Sequence, residues 1–215
     1  MAFSSEMEAK IVEIFQSNKV KNILHIGACL GEEKPFYETL NPEKIYWFEP
    51  NPNLISELRN KIRTDKYESI LFPYAVGKEN GSLPFNIIGD DRETNPGCSS
   101  LRNLKEHSKM YPNIKWKNSV MVDVVNIDSF ITENNLVQEF DLVSLDTQGN
   151  DYDILSSSEF IFSAKAIVIE TSELELYDGQ VVEKELTKFL ESKGFIKEYY
   201  SKFHPSWGDT LYIKK

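Results

Sequence analysis

The sequence predicts a doubly wound α/β domain, in which a mostly parallel sheet is covered by helices on both faces. Short apolar runs alternate with segments of helical periodicity along most of the 215 residues, a pattern that is typical of parallel sheets with helical crossovers. The last two apolar runs, Phe195 to Phe203 and Thr210 to Lys214, are separated by only a few residues. Since a parallel crossover needs about a dozen residues or more, these two strands are predicted to form an antiparallel hairpin.

The first half of the chain is predicted to alternate between helices and strands from its start. Met7, Ile11 and Phe15 share one face of a helix, and the apolar residues that follow define the other elements by their spacing. In chain order we predict a helix within residues 1–20, a strand at 23–26, a helix at about 32–40, a strand at 44–50, a helix capped by Asn51 with Pro52 at its first position, and a strand at 69–76.

The second half continues the alternation around one irregular segment. Residues 89–118 are mostly polar and lack a clean period, so we predict a substrate or lid loop there, because long loops in compact domains are often binding loops. The other predicted elements are a strand at 83–88, a strand at 119–125, a helix at about 127–134, a strand at 141–146, a short helix capped by Asp151, a strand at 165–170, and a helix that Gly194 ends. With no linker or repeat, the prediction is one domain over residues 1–215.

Composition and charge narrow the class of protein. Apolar residues make up 40% and charged residues 27%, as in ordinary soluble domains, and no apolar run suggests a membrane span. The net charge of −10 disfavours a nucleic-acid partner, because contact with a phosphate backbone depends on Lys and Arg. The two cysteines, Cys29 and Cys98, have no metal-like spacing, and the N-terminus shows no secretory signal. These features favour a cytoplasmic protein and leave its oligomeric state open.

The stretch His25-Ile-Gly-Ala-Cys-Leu-Gly31 forms a glycine turn at the carboxyl end of the first predicted strand. Such a turn can simply let a strand turn tightly into a helix, or it can let a ligand approach the backbone. The second strand ends at Glu49, 22 residues after Gly27, close to the offset of about 20 residues at which an acid can bind a ribose. The two features together favour an adenosine-type cofactor, although Glu49 could also be a solvated strand end.

Two acids and one histidine are the first candidates for the chemistry of the site, and Glu173 and Tyr177, on flanking loops, are further candidates for the base. Asp146 and Glu170 end apolar strands, and ligands bind outside the carboxyl ends of the strands in such sheets. A histidine's unperturbed pKa of about 6.5 suits a base near neutrality, which makes His107 a third candidate. A histidine in a polar loop is, however, as often exposed and inert. Asp146 could instead cap the next helix, although Asp151 is better placed for that role.

A metal ion is an alternative to a protein base, since a divalent cation can acidify a hydroxyl. Asp146, Asp151 and Asp153 are the residues that could hold one. Because the helix dipole favours acids at a helix start, we assign Asp151 and Asp153 to that structural role and predict no metal.

A series of short motifs occurs in order along the chain and is similar to one known family. The motifs are HIGACLGEE, IYWFEPNP, YAVG, GCSSL, VDVVNIDSF, LVSLDTQGND, AIVIETSELELYDG, KGF and GDTLYIKK, within residues 22–215. This ordered set resembles the FkbM-type methyltransferases, a branch of the class I S-adenosylmethionine-dependent enzymes. The resemblance implies a Rossmann-like sheet of about seven strands with the last hairpin antiparallel. It also implies S-adenosyl-L-methionine as the cofactor and methyl transfer to a hydroxyl, commonly of a sugar or a polyketide. We favour a sugar or glycan hydroxyl on the strength of the resemblance, and another small molecule or a lipid-linked acceptor stays open.

The resemblance implies a position beside the cofactor for ten of the candidate residues. It places Gly27, Ala28, Cys29 and Gly31 at the methionine part, Glu49 at the ribose, Pro50, Ala75 and Val76 at the adenine, Ser100 on a loop that closes over cofactor or substrate, and Asp146 near the sulfonium. One departure is His25, which stands two residues before Gly27, where the family often has an acid. A histidine cannot hold a cationic group as a carboxylate would, so we predict that His25 is a partly buried strand residue.

Two other functions are alternatives at this point. A nucleotide-cofactor oxidoreductase could use a similar sheet, and a non-catalytic relic of the methyltransferase fold could bind the cofactor without reacting. The missing G-x-G-x-x-G pattern disfavours the oxidoreductase, and the presence of Glu49 and Asp146 disfavours the relic. The acceptor pocket is predicted from residues 89–116 and 172–180, with Tyr111, Trp116, Tyr177 and Trp207 as candidates for contact with a sugar ring.

Overall fold

The computed structural model describes residues 2–17, 19–89 and 96–215. In chain order its elements are α1 (Ser5–Phe15), β1 (Asn22–Ile26), α2 (Lys34–Thr39), β2 (Lys44–Phe48), α3 (Ile55–Ile62), β3 (Glu68–Phe72), β4 (Ala75–Val76), β5 (Gly81–Gly89), α4 (Glu106–Met110), β6 (Lys115–Val125), α5 (Ile127–Glu133), β7 (Leu142–Leu145), α6 (Asp151–Ser156), β8 (Ala166–Ser172), α7 (Glu183–Ser192), β9 (Phe195–His204) and β10 (Trp207–Lys214). Short 3₁₀ turns also occur at Pro96–Cys98 and Phe160–Ser163. Within these ranges, no helix combines the length and hydrophobicity of a membrane-spanning segment.

Seven strands form one sheet in the order β3-β2-β1-β7-β8-β10-β9. The first five strands in this order are parallel, and β10 runs antiparallel to both β8 and β9. The last strand of the chain is therefore inserted between β8 and β9. This arrangement confirms the predicted doubly wound sheet with its C-terminal antiparallel hairpin. Since the chain order reverses between β1 and β7, their carboxyl ends border the crevice where such sheets bind ligands.

Helices cover the sheet on both faces. Leu24 and Ile26 of β1 pack in a cluster with residues of α5, α6 and α7, whereas Ile23 packs with residues of α1, α2 and α3 on the opposite face. This alternation follows from the period of two along a strand, which points successive side chains to opposite faces. Because β1, β7 and β8 are buried almost throughout, they read as continuous apolar runs in the sequence.

A second sheet, with its strands in the order β4-β6-β5, lies outside the sequence prediction. The predicted strand at 69–76 is wrong in its second half, because β3 ends at Phe72 and residues 75–76 pair in parallel with β6. Pro73 lies between the two strands and has no N–H to continue the ladder. This small sheet brings Ala75 and Val76 beside the carboxyl edge of the large sheet.

The helix that was predicted to start after Asn51 starts later, at Ile55, with Leu54 as its N-cap. Asn51 Oδ1 accepts a hydrogen bond from the Asn53 N–H at 3.1 Å, so it closes a turn before the helix. The Asn51 N–H donates to Glu49 Oε1 at 2.7 Å. Asn51 therefore belongs to the turn after β2, and the prediction that it caps α3 is wrong.

Part of the predicted lid segment, residues 90–95, lies outside the described residues. Farther along this segment, Ser100 and Asn86 exchange backbone hydrogen bonds of 2.8 and 3.0 Å. The N–H groups of Lys105 and His107 donate to the Leu176 carbonyl at 2.8 and 3.2 Å. These bonds tie residues 100–107 to β5 and to the loop that follows β8.

Candidate functional site

A cavity opens at the carboxyl ends of β1, β2, β7 and β8, between β4 and the segment that follows β5. Nine of the predicted site residues line it, namely Gly27, Cys29, Glu49, Pro50, Ala75, Val76, His107, Asp146 and Glu170. The fold therefore brings together residues that the sequence places in several separate segments. Three other predicted residues, Ala28, Gly31 and Ser100, are absent from this lining.

Gly27 allows three strand ends to meet. Its φ angle is +87°, a conformation that residues with a Cβ rarely adopt. A Cβ at this position would lie 1.9 Å from the backbone oxygen of Asp146. The Gly27 N–H donates to the Phe48 carbonyl at 2.9 Å, which ties the turn to the end of β2. The close contact with Asp146 explains this glycine without any ligand, although the turn also leaves backbone groups at the cavity wall.

The three predicted residues outside the lining support the wall from behind. A Cβ on Gly31 would lie 3.0 Å from Ile62 and 3.1 Å from Leu58, so this glycine lets the turn pack against α3. Ala28 is buried in the core on the same side. Ser100 Oγ donates to the Gln148 carbonyl at 2.7 Å and accepts from the Arg102 N–H at 2.9 Å.

Glu49 is a buried carboxyl group that backbone amides hold in place. Its Oε2 accepts from the Cys29 N–H at 2.7 Å, and its Oε1 accepts from the Asn51 N–H at 2.7 Å. Burial raises the pKa of Glu49 to about 7. Each carboxylate oxygen can accept a further hydrogen bond. Glu49 can therefore bind two neighbouring hydroxyl groups from a fixed position.

Asp146 and Glu170 are joined by one side-chain amide. Gln148 Nε2 donates hydrogen bonds to Asp146 Oδ1 and to Glu170 Oε2, the second at 2.8 Å. Gln148 Oε1 accepts a hydrogen bond from the Tyr177 hydroxyl at 2.6 Å. Because the phenol can donate only to the carbonyl end of the amide, it turns the NH₂ end towards the two acids.

Gln148 is a site residue that the sequence reasoning missed. It lies in the turn after β7 with a φ of +54°. A neighbour in the same turn, Asn150, also lines the cavity and donates from Nδ2 to the Val76 carbonyl at 3.0 Å. The sequence contains only a weak indication of these two residues, which is that they are polar and follow Asp146 at the carboxyl end of a buried strand.

The cavity lining is strongly acidic. Burial raises the pKa of Asp146 and of Glu170, and the Asp146 charge raises the pKa of Glu170 further. Glu49 is a third acid in the lining, and no Lys or Arg lines the cavity in the part of the chain that the structure describes. An arrangement of this kind favours a positively charged ligand, which would reduce the cost of burying the carboxylates.

His107 lies in the wall of the cavity, although the histidine of a polar loop could equally have been exposed. Its side chain is 4% exposed, and its ring packs against Tyr111 and Tyr177 with centroid distances of 5.0 and 5.5 Å. Burial lowers the pKa of His107, so the ring is neutral near pH 7. Nδ1 has no hydrogen-bond partner among the described residues. A buried ring nitrogen without a partner is a natural contact for a ligand.

His25 faces the other side of the sheet. Its Nδ1 is 3.0 Å from the Tyr37 hydroxyl, and its ring stacks on Trp47 at a centroid distance of 5.2 Å. Burial lowers the pKa of His25 to about 3, so it carries no charge near neutrality. His25 is thus a hydrogen-bonded core residue, and it does not take part in the cavity.

The other acids that were considered as metal ligands have partners of their own. Asp151 Oδ1 accepts from the Thr147 N–H at 3.1 Å and from Thr147 Oγ1 at 2.7 Å. Asp151 is the first residue of α6, and Asn150 occupies the capping position that was predicted for it. Asp153 Oδ2 is 2.8 Å from Arg102 Nη2. Across residues 2–17, 19–89 and 96–215, no three His, Cys, Asp or Glu side chains converge as metal ligands would.

Comparisons with known proteins agree on one class of enzyme. Residues 25–197 match the model of the methyltransferase FkbM domain. The 2-O-methyltransferase NoeI of Sinorhizobium fredii is 27% identical over 183 residues, which cover 82% of this chain and 74% of NoeI. The ribosomal RNA small subunit methyltransferase G of Campylobacter jejuni is 29% identical over 132 residues, which cover 59% of this chain and 69% of that protein.

The structural comparison concerns the fold. A proposed RNA methyltransferase of Pyrococcus horikoshii has a TM-score of 0.50 and 10% sequence identity, over 97% of this chain and 83% of that chain. At this identity the likeness carries no information on the substrate.

Proposed function

Because this chain belongs to the FkbM family of S-adenosylmethionine-dependent methyltransferases, we propose that it methylates a hydroxyl oxygen of a sugar or glycan. The observation that carries this proposal is a set of proton acceptors near the carboxyl ends of β7 and β8. We call this part of the cavity wall, with Asp146, Glu170, Gln148, Tyr177 and His107, the β8 side. Asp146 and Glu170, joined by an amide, share the lining with His107, whose Nδ1 lacks a partner among the described residues. Such groups can accept a hydrogen bond, and then a proton, from an alcohol.

The opposite part of the wall, formed by the turn at Gly27 after β1 and by Glu49 and Pro50 after β2, is called the β1–β2 side. Its residues fit the cofactor. Glu49 would hold the ribose diol, since both of its oxygens are fixed by backbone amides and retain lone pairs. Pro50, Ala75 and Val76 offer an apolar surface that would contact the adenine. The backbone of the turn at Gly27 would contact the methionine part. S-adenosylmethionine, when bound, supplies a methyl group on a positively charged sulfur.

The remaining task of the protein is to orient the hydroxyl and to remove its proton. Asp146 and Glu170 each use one oxygen for the amide of Gln148, and in the described part of the chain the second oxygen of each accepts no hydrogen bond. His107 is neutral and can take up a proton. Correct placement of the two reactants can account for roughly 7–11 kcal/mol of the barrier, and a positioned base for about 10²–10⁴-fold in rate.

The relative NoeI is named a 2-O-methyltransferase, which supports an oxygen atom as the acceptor. One feature of the cavity supports a sugar. In this chain Trp207 lines the cavity, stacks on His204 with an interplanar angle of 14°, and donates from Nε1 to the Tyr111 hydroxyl at 3.4 Å. Aromatic rings with polar edges suit a sugar ring, which has both an apolar face and hydroxyl groups. Trp116, the other tryptophan predicted to contact a sugar, lies in a separate surface groove.

RNA is the alternative acceptor, because the relative from Campylobacter jejuni is named a ribosomal RNA methyltransferase. The net charge of −10 opposes this alternative. The acidic lining opposes it as well, since binding of a phosphate backbone relies on Lys and Arg.

The proposal is tested by incubating the purified protein with S-adenosylmethionine that carries a tritiated methyl group. The acceptors are a mixture of neutral oligosaccharides and, separately, unmethylated ribosomal RNA. We expect alkali-stable label, as in an ether, on the oligosaccharides. Label on RNA alone would contradict the proposal, and retained cofactor binding without any transfer would favour the non-catalytic relic.

A matched pair of variants links the reaction to the cavity. Glu170→Gln should abolish transfer while the protein still folds, because it removes a proton acceptor from the cavity wall. Glu173→Gln alters an exposed carboxylate three residues farther along the chain and should leave transfer unchanged. Equal activity of the two variants would remove Glu170 from the mechanism.

A further inference from the structure

The three tryptophans of the chain differ in what their side chains contact. Trp47 and Trp207 each stack on a histidine and donate a hydrogen bond from Nε1, to Ser69 at 3.1 Å and to Tyr111 at 3.4 Å. Trp116 of β6 is half-buried and has neither kind of partner among the described residues. Since a tryptophan N–H usually finds a partner when its ring is buried, the indole of Trp116 is open to a partner from outside the chain.

Trp116 lines a surface groove with a volume of about 470 Å³. Leu104, Pro112 and Ile114 form the rest of its apolar wall. Sites for small ligands range from roughly 300 to 1,000 Å³ and are mostly apolar with a few polar groups. A stable protein partner, in contrast, usually contacts about 20–30 residues on each side. The size of the groove therefore fits a small ligand, or one unit of an extended ligand.

Polar side chains line the same groove. The side chains of Asn103 and Lys115 are exposed and make no hydrogen bond or ion pair with the described residues. Ser108 Oγ donates to the Lys105 carbonyl at 2.7 Å and can still accept a hydrogen bond. With the N–H of Trp116, the groove offers donors and acceptors beside a flat aromatic ring. This combination suits a sugar ring, which has an apolar face and a rim of hydroxyl groups.

The charge of the groove differs from that of the cavity. Lys115 is the one charged residue that lines it in the described part of the chain. A single ammonium group gives little affinity for a phosphate backbone, because that affinity grows with the number of phosphates that Lys and Arg contact. The groove therefore favours a sugar over a nucleic acid.

The groove and the cavity lie on two sides of α4. His107 of α4 is in the wall of the cavity, and the next residue, Ser108, lines the groove. Tyr111, which accepts the hydrogen bond from Trp207 at the cavity, is followed directly by Pro112 of the groove. A helix with its side chains is about 10–12 Å across. A chain of several linked sugars can reach from the cavity to the groove.

We propose that the groove at Trp116 is a second subsite for the glycan acceptor and binds a sugar unit distant from the methylated hydroxyl. This inference rests on the proposed methyl transfer. The indole ring contacts the apolar face of the sugar, and Asn103, Lys115 and the indole N–H form hydrogen bonds with its hydroxyl groups. Because the subsite is remote from the reacting atoms, it stabilises the bound acceptor and the transition state equally. It therefore lowers KM for a long glycan and leaves kcat unchanged.

The first test measures binding without any reaction. The probes are maltohexaose, cellohexaose and chitohexaose, with glucose as the single-sugar reference, and the protein is saturated with S-adenosylhomocysteine. Nuclear magnetic resonance of isotope-labelled indole N–H groups reports on each tryptophan separately, and Trp116→Phe identifies the signal of Trp116. We expect at least one hexasaccharide to shift this signal, whereas glucose at the same concentration does not. The signal of Trp47, which is fully buried, should stay in place throughout.

Variants of the groove measure what each group contributes. Trp116→Ala should weaken binding of that hexasaccharide by about 10-fold. Asn103→Ala and Lys115→Ala should each weaken it by about 3-fold. Both change exposed side chains, so they test the groove even where Trp116→Ala fails to fold. The matched control is Met121→Ala, which removes an apolar side chain of β6 that is 64% exposed and lies outside the groove, and it should leave the affinity unchanged.

The second test is the transfer reaction with the same hexasaccharide. Trp116→Ala should raise KM for the hexasaccharide by about 10-fold at an unchanged kcat. A lower kcat at an unchanged KM would overturn the inference, because it would place Trp116 in the reaction itself.

The results separate this inference from the proposed function. A shift of the Trp116 signal by a hexasaccharide, together with no methyl transfer, would support the subsite and contradict the sugar proposal. Transfer to a hexasaccharide with the same KM in Trp116→Ala would support the function and overturn the subsite. The subsite is also overturned when no hexasaccharide shifts the signal, or when unmethylated ribosomal RNA alone shifts it.

Discussion

The two sides of the cavity are built in different ways. On the β1–β2 side, backbone groups hold the site, as where the Cys29 N–H donates to Glu49 at 2.7 Å and the Gly27 N–H donates to the Phe48 carbonyl at 2.9 Å. On the β8 side, Gln148, Tyr177 and Glu170 come from three segments and hold one another through their side chains. A site held by the backbone depends on few side chains, whereas a site held by side chains changes with each of them.

This difference suits two separate tasks. A stiff turn with one anchored acid can present the same contacts to a cofactor in every turnover. On the β8 side, three atoms can still form a hydrogen bond with a ligand. These are Nδ1 of His107 and one oxygen each of Asp146 and Glu170, which have no hydrogen-bond partner among the described residues. Mutations on the two sides should therefore have different effects on stability and on cofactor binding, and four substitutions test that expectation.

Gly27→Ala should have the largest effect. A Cβ would lie 1.9 Å from the Asp146 backbone oxygen, at a φ of +87°. Backbone strain and overpacking together should lower the free energy of unfolding by about 3 kcal/mol or more. Urea denaturation measures this loss. Gly81→Ala is the control, since a Cβ there meets nothing within 4 Å. Similar losses in both variants would show that the turn after β1 is not specially constrained.

Glu49→Ala should weaken cofactor binding without unfolding the protein. Loss of hydrogen bonds to a charged group should reduce the affinity for S-adenosylhomocysteine by about 1–3 kcal/mol, which calorimetry measures. Glu133→Ala, which removes an exposed acid at the end of α5, serves as the control. An unchanged affinity in a well-folded Glu49→Ala protein would contradict the proposal that Glu49 binds the ribose of the cofactor.

Tyr177→Phe should act on the β8 side alone. It removes the hydroxyl that donates to Gln148 Oε1 at 2.6 Å and leaves a buried acceptor without its partner. We expect a loss of about 1–2 kcal/mol in the free energy of unfolding, with cofactor affinity unchanged. The matched control is Tyr67→Phe, because the buried Tyr67 hydroxyl has no partner among the described residues and its removal should cost little. A large fall in cofactor affinity for Tyr177→Phe would show that cofactor binding also depends on the β8 side, which would contradict this expectation.

His107→Phe should have the smallest effect on stability, within about 0.5 kcal/mol, because His107 Nδ1 makes no hydrogen bond to the described residues. His25→Phe provides the contrast. It removes the partner of the buried Tyr37 hydroxyl at 3.0 Å and should cost about 1 kcal/mol or more. Thermal and urea denaturation measure the loss of stability in the two variants. A larger loss for His107→Phe than for His25→Phe would mean that His107 is the structural histidine.

The β1–β2 side of the site was predictable from the sequence because its residues obey local rules. A buried strand, a glycine turn and an acid at the end of the next strand are each recognisable within a few residues, and their spacing indicates a nucleoside ligand. His25 was predictable for the same reason. The strand period of two places it on the face opposite to Ile26, which lines the cavity.

The β8 side was only partly predictable, because its contacts join distant segments. Asp146 and Glu170 could be named as strand ends, but no local rule places Gln148 between them or turns its amide by means of Tyr177. The burial of His107 depends on backbone bonds from residues 105 and 107 to Leu176. The same limit applies to β4, whose partner β6 lies far along the chain.

The sequence by itself determined most of the order of the elements, the faces that they bury, the family and the residues on the β1–β2 side of the cavity. The tertiary structure alone decided which polar groups meet at the β8 side and which of them retain a free hydrogen-bonding position. The physical reason is that hydrophobic periodicity and turn chemistry act over a few residues. Buried polar groups, in contrast, must find partners wherever the fold brings them.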